Sequence, residues 1–173
     1  MNTGKIFENA IKRSVPKSIL LFRLPDAAQS FGGSNRLRFS RKNPFDFLMW
    51  DSCGHILFAL EMKTVSGKSI SFERSSEDHG ESHLHQISGL NECSKYDGIV
   101  CGFVIEFRVL ATTIFIYISD FLRVSSVIPK KSFTIKDLDA LSIPYYVIPQ
   151  EIVKTRYKYD IEYFVREIRN HRK

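Results

Sequence analysis

A chain of 173 residues, 43% hydrophobic and 25% charged, can bury one sizeable core and little more. Its 14 Phe and 7 Tyr against 9 Gly and 6 Pro exclude a disordered or low-complexity polymer. The formal net charge of +6 suggests a polyanionic partner, with a merely basic surface as the plainer alternative.

Taken in chain order, a helix is expected from Thr3, with Ile6, Phe7, Ala10 and Ile11 on one stripe and Pro16 closing the segment. Ser18 to Leu24 reads as a strand. From Pro25 to Asn43 periodicity disappears. Gly32 and Gly33 are followed there by Arg36, Arg38, Arg41 and Lys42, with Phe31, Leu37 and Phe39 interleaved. Such a basic, flexible arm suits backbone tracking and base stacking on DNA, and Lys68 is counted with its cations. Phe45 to Trp50 and Ile56 to Lys63 are expected strands around the turn-forming Asp51-Ser52-Cys53-Gly54, and so form a hairpin in which Asp51 is a turn residue.

Val65 to Gly80 is polar and reads as a loop, followed by a helix from about Ser82 to Cys93. Gly98 to Phe107 and Thr112 to Ser119 are nearly continuous in apolar residues, the pattern of strands covered on both faces. A short helix near Asp120 to Val124 comes next, then a capping box at Thr134 to Asp137 and an extended stretch from Ile143 to Ile148. The last helix starts at about Asp160, with Ile161, Phe164, Val165 and Ile168 at helical spacing. The order predicts an α/β fold, a central mixed β-sheet flanked by α-helices, in a single domain spanning residues 1–173.

Charge is unevenly spread. Residues 1–44 carry nine Lys or Arg against two acids, residues 45–153 carry nine against fourteen, and the last twenty carry seven against three. Basic ends flanking an acidic middle suit a protein that grips phosphate with one part and holds a cation with another. Cys53, Cys93 and Cys101 are odd in number and lack a C-x-x-C spacing, which favours a reducing, cytoplasmic setting over a disulfide framework. No secretion signal is expected, since the apolar run Ile19 to Phe22 is too short for a signal-peptide core. The apolar stretch Ile99 to Ile118 holds Glu106 and Arg108 at its middle, each costing about 2.5 to 3.5 kcal/mol in a bilayer, so no membrane span is expected there.

The second strand of the hairpin changes character at its end, from Ile56-Leu57-Phe58-Ala59-Leu60 to Glu61-Met62-Lys63. Alternation puts Glu61 and Lys63 on one face. With the turn at Cys53-Gly54, Asp46 falls opposite Glu61, and cross-strand Cβ atoms are about 4.5 to 5.5 Å apart. Two carboxylates that close repel each other unless they share a cation. Mg²⁺, with Mn²⁺ as a substitute, would take Asp46, Glu61 and the Met62 main-chain carbonyl as oxygen ligands. Lys63 would orient a water or stabilise charge at a phosphodiester, so the reaction expected is phosphodiester hydrolysis.

Pro44-Phe45-Asp46 followed by Glu61-Met62-Lys63 resembles the P-D...(D/E)-x-K signature of the restriction-endonuclease-like nucleases. Gly4-Lys5-Ile6-Phe7-Glu8 in the first helix and His83-Leu84-His85-Gln86-Ile87 followed by Leu90 are similar, in order and spacing, to the RecU family of Holliday junction resolvases of Gram-positive bacteria and their phages. That resemblance implies a restriction-endonuclease-like sheet, metal on Asp46 and Glu61, a catalytic Lys63, and Glu8 and Gln86 bordering the site from two helices. It also implies a homodimer that resolves four-way DNA junctions during recombination and repair, in the cytoplasm of a bacterium or of a phage's host. The chain departs from the family pattern at Phe45, at Thr64 and in the short segment from Pro25 to Asn43.

Plainer readings stand beside these. Glu8 can pair with Lys12 one helical turn on, and Gln86 can satisfy backbone groups at a helix start. His79, His83 and His85 with Cys93 invite zinc, although the thiols lie apart. Two rival functions keep the same residues: a nuclease acting on duplex or flap DNA in repair or restriction, and a junction-binding recombination factor that does not cut.

Overall fold

The computed structural model describes residues 3–25, 43–72 and 81–171, the side chains of residues 81–83 excepted. Arg36, Arg38, Arg41 and Lys42 of the basic arm lie outside the described residues, as does His79.

Helix α1 (Thr3–Ser14) buries Phe7, Ala10 and Ile11, the stripe its sequence spacing dictates. It leads into β1 (Ile19–Arg23), β2 (Phe47–Asp51) and β3 (Ile56–Val65). After a short β4 (Ser69–Ser71) come α2 (Glu81–Cys93), β5 (Ile99–Phe107) and β6 (Thr112–Tyr117). The chain continues through α3 (Ile118–Val127), β7 (Ser132–Thr134), α4 (Ile135–Ala140) and β8 (Tyr146–Ile148). A hairpin of β9 (Gln150–Val153) and β10 (Arg156–Tyr159) precedes the last helix, α5 (Ile161–His171).

Six strands form one mixed sheet in the order β1-β2-β3-β5-β6-β8. The central pair β3 and β5 is parallel and its neighbours pair antiparallel. This is the mixed sheet flanked by helices that the sequence predicts. One face, with Phe47, Phe58, Leu60, Met62 and Val104, packs against α1 and α5. The other, with Ala59, Cys101, Phe103 and Ile105, is covered by α2, α3, α4 and the small β4–β7 sheet. Residues on β5 are buried almost without interruption because both faces are covered. Among the described residues no helix is long and apolar enough to cross a membrane.

β2 and β3 pair from Phe47 opposite Leu60 to Asp51 opposite Ile56, the register that a turn at Cys53-Gly54 dictates. Asp51 does more than turn the chain. It is 2% exposed, accepts the N–H groups of Cys53 (3.1 Å) and Gly54 (3.0 Å), and binds the Arg169 guanidinium at 2.8 Å, tying α5 to the hairpin.

Two expectations need correction, and one hairpin was not expected at all. The polar segment after Val65 is not all loop: β4 pairs with β7, placing Ile70 opposite Phe133. Residues 150–159 form a hairpin that sequence patterning does not announce. The helix expected at Asp120 begins at Ile118 and runs to Val127, because the strand before it stops at Tyr117. The capping box at Thr134 is present, its hydroxyl accepting from the Asp137 N–H and the Asp137 carboxylate accepting from the Thr134 N–H.

Candidate active site

The strand β3 delivers its charges at the end away from the hairpin turn. Alternation keeps Met62 in the core beside α1 and turns Glu61 and Lys63 to the other face. Lys63 Nζ lies 3.3 Å from Glu61 Oε1 and donates to Gln86 Oε1 of α2 at 3.0 Å. Asp46 stands just before β2, its N–H donating to the Leu60 carbonyl (3.1 Å) and its Oδ2 accepting the Met62 N–H (2.8 Å). In a strand the N–H and C=O of one residue point the same way, so Met62 presents its carbonyl toward Asp46 as well. The structure therefore brings Asp46, Glu61, Met62, Lys63 and Gln86 together.

Glu8 approaches from α1 on the opposite face and accepts from Arg23 Nε at 2.7 Å, rather than pairing with Lys12. Its charge is felt at Asp46. Arg23, at the end of β1 and opposite Phe47, is the site residue that sequence reasoning missed. The signal available was a base closing an otherwise apolar strand. Gln86 is a partner of Lys63 and not merely of backbone groups. Lys68 is exposed in the turn between β3 and β4.

Burial pushes the Glu61 carboxyl up to about 8, the nearby Asp46 carboxylate adds to the rise, and the Lys63 ammonium opposes it. Burial likewise raises Asp46, against the Met62 N–H that favours its charged form. Glu61 is 2% exposed, and its Oε2 has no hydrogen-bond partner among the described residues. Two buried carboxyl groups in one place, one oxygen of them unpartnered, fit a cation with hard oxygen ligands. Among the described residues no group of three or more His, Cys, Asp or Glu could bind a metal, and of the zinc alternative His79 and the His83 side chain lie outside the described residues. Mg²⁺ is satisfied by one or two carboxylates with water completing its shell, so the donor set of Asp46, Glu61 and the Met62 carbonyl suits it.

Helix α2 is fixed against this corner by close contact. His85 Nε2 bonds the Asn43 carbonyl at 2.9 Å, and Gly89 sits so near Pro44 that a Cβ would lie 2.4 Å from the proline Cβ. The segment Asn43-Pro44-Phe45-Asp46 is thereby held by the helix that carries Gln86. Beside Lys63 and Gln86 a cavity of about 290 Å³ is floored by Phe72, Phe103 and Phe121.

The SPbeta prophage-derived protein YotM of Bacillus subtilis (strain 168) is 30% identical to this chain over 175 residues, covering 96% of the chain and 85% of YotM. The chain belongs to the YotM family. YotM is described as uncharacterized, so membership brings no chemistry with it. No family model matches the chain. A solved structure, the Holliday junction resolvase Hjc of Archaeoglobus fulgidus, overlaps 79% of this chain and 91% of its own at 11% identity with a TM-score of 0.47. At that level of overlap, the chemistry of this YotM relative has to be read from its own residues.

Proposed function

We propose that this chain is a divalent-metal-dependent endodeoxyribonuclease that hydrolyses phosphodiesters in branched DNA, a restriction-endonuclease-like enzyme of RecU type acting as a Holliday junction resolvase. The observation that carries the reading is the unpartnered Glu61 Oε2, buried beside Asp46 with the Lys63 ammonium 3.3 Å from the same carboxylate. Asp46, Glu61 and the Met62 carbonyl would hold Mg²⁺ or Mn²⁺. Bound there, the cation would polarise a phosphoryl oxygen and make water a better nucleophile.

The chain's own groups have separate tasks. Lys63 offers an ammonium at the place where charge builds on phosphorus, and its position is set by Gln86 on one side and Glu61 on the other. The Met62 N–H holds Asp46 in its rotamer. Glu8, neutralised by Arg23, borders the site from α1 without competing for Lys63. The basic arm, with Arg36, Arg38, Arg41 and Lys42, and Lys68 supply counter-charge to phosphate.

The test is cutting of a labelled synthetic four-way junction, with matched duplex and flap, in Mg²⁺ and in Mn²⁺. Wild type should cut the junction. Asp46→Asn and Glu61→Gln should abolish cutting with binding retained, and Lys63→Ala should slow it about 10²- to 10³-fold. Preference for duplex or flap would move the reading to repair or restriction. A wild type that cuts none of the three with either ion would leave only the binding factor.

A further inference from the structure

On the face of the sheet opposite Lys63, α1 from Thr3 to Arg13, the end of β5 and the start of β10 enclose a pocket of about 470 Å³. Lys5, Arg13, Arg108 and Arg156 stand on its lining. All four are exposed, and none forms an ion pair with a described residue. The one acid on the lining is Glu106, buried at the floor with one oxygen accepting from Thr64 Oγ1 (2.6 Å) and the other from the Tyr159 hydroxyl (3.0 Å). Its oxygens are taken up by those hydroxyls and by no base among the described residues, so four cations face one buried carboxyl and the rim is cationic.

Below the rim the wall turns apolar. Ile6 is 41% exposed there, and the half-buried Tyr157 lies 6.3 Å, centroid to centroid, from Tyr159. A concave apolar wall with an aromatic ring, capped by cations, matches one ligand chemistry: a planar base attached to phosphate. The pocket is connected to the candidate active site. Thr64 follows Lys63 on β3 and donates to the floor residue Glu106, its neighbour across the parallel β3–β5 register.

We propose that this pocket seats a single unpaired nucleotide of the DNA substrate, its base on Ile6 and Tyr157 and its flanking phosphates on Lys5, Arg13, Arg108 and Arg156. The inference rests on the reading of the chain as a DNA-cutting enzyme, and it assigns a second contact through which the chain would sense an interruption in base pairing. Fully paired DNA offers the rim its phosphates but leaves the wall empty.

The experiment uses the full chain with Asp46→Asn to suppress cutting. It measures binding to DNA carrying 2-aminopurine either at one unpaired position or inside a full duplex, over a series of salt concentrations. Unpaired DNA should bind about tenfold more tightly, with a change in 2-aminopurine emission. Tyr157→Ala should erase that preference and Tyr157→Phe should keep it, since stacking needs the ring and not the hydroxyl. Arg108→Ala with Arg156→Ala should lower the log–log salt slope by about 1 to 2. Equal binding of paired and unpaired DNA, a preference that survives Tyr157→Ala, or an unchanged salt slope overturns the proposal. So does saturation by deoxynucleoside monophosphate alone at micromolar concentration, since the occupant would then be a free nucleotide. The readout is binding, so a chain that binds as expected yet never cuts, with Asp46 intact, removes the nuclease reading and leaves the pocket standing.

Discussion

Glu61 shows how one residue can couple stability to cation binding. Its folded value of about 8 lies above the ordinary 4.5, so the folded chain keeps a proton that the unfolded chain releases. From about pH 4.5 upward the unfolded state binds fewer protons at this group, and its contribution to stability drains away until pH passes 8. Without divalent cations, the thermal midpoint of wild type should therefore fall between pH 5 and pH 9 more steeply than that of Glu61→Gln. Mg²⁺ should raise the wild-type midpoint more at pH 9 than at pH 6, because it binds the ionised form. Scanning calorimetry across pH with and without Mg²⁺ checks both, and parallel slopes for the two proteins would remove Glu61 from the site. Glu61 and Lys63 could be read from sequence because strand alternation is strictly local. The base closing β1 marked Arg23 only as a charged strand end, because its bond to Glu8 joins residues that meet only after α1 has packed against the sheet. Gln86 has its effect through another residue. Gln86→Ala should leave DNA affinity unchanged and slow cutting about tenfold to a hundredfold, as Lys63 loses an anchor, and single-turnover kinetics separates the two quantities.

At the scale of elements, the site is a corner assembled from one hairpin and two helices on opposite faces. Gly89 is where α2 meets the hairpin, and two effects compete when it becomes alanine. Helix propensity favours alanine by about 1 kcal/mol. The new Cβ would lie 2.4 Å from the Pro44 Cβ and 2.9 Å from Pro44 backbone atoms. Pro44 cannot yield as a flexible side-chain tip would, so an approach this close falls in the upper part of the range of about 1 to 3 kcal/mol that overpacking costs, and the clash wins. Gly89→Ala should lower stability by about 1 to 2 kcal/mol in denaturant and slow cutting more than it weakens binding, because Gln86 and Asp46 separate. An unchanged or raised midpoint would mean that α2 is free to slide. The missed elements share a physical cause. β4 is three residues long and exists only because β7, some sixty residues on, pairs with it. The β9–β10 hairpin turns through Lys154 at φ 61°, a left-handed position without the Gly or Asn that marks such turns, so no local signal announced it. The β2–β3 hairpin was legible because its turn chemistry fixed its register.

On the scale of the whole molecule, β1 is an edge strand of the sheet among the described residues and, with β2, carries an apolar surface. Leu20 is 65% exposed, Phe22 is 53% exposed, and Trp50, the partner of Leu20 on β2, is 36% exposed. Side chains of this kind on an edge strand invite association, and stable monomers usually blunt such edges with charge. A second copy related by a two-fold axis would cover the patch with itself, which is the economical closed assembly. It would also present two sites to a substrate with two equivalent strands. We therefore expect a homodimer at micromolar concentration, seen as twice the 20.0 kDa chain mass by light scattering. Leu20→Lys combined with Phe22→Glu should give a monomer with an unchanged circular dichroism spectrum, since both side chains already face solvent. The monomer should still bind branched DNA, but paired cuts on opposed strands should give way to single nicks. A wild type that stays monomeric up to about 100 μM would separate the active site from any two-fold assembly and require each cut to be made independently.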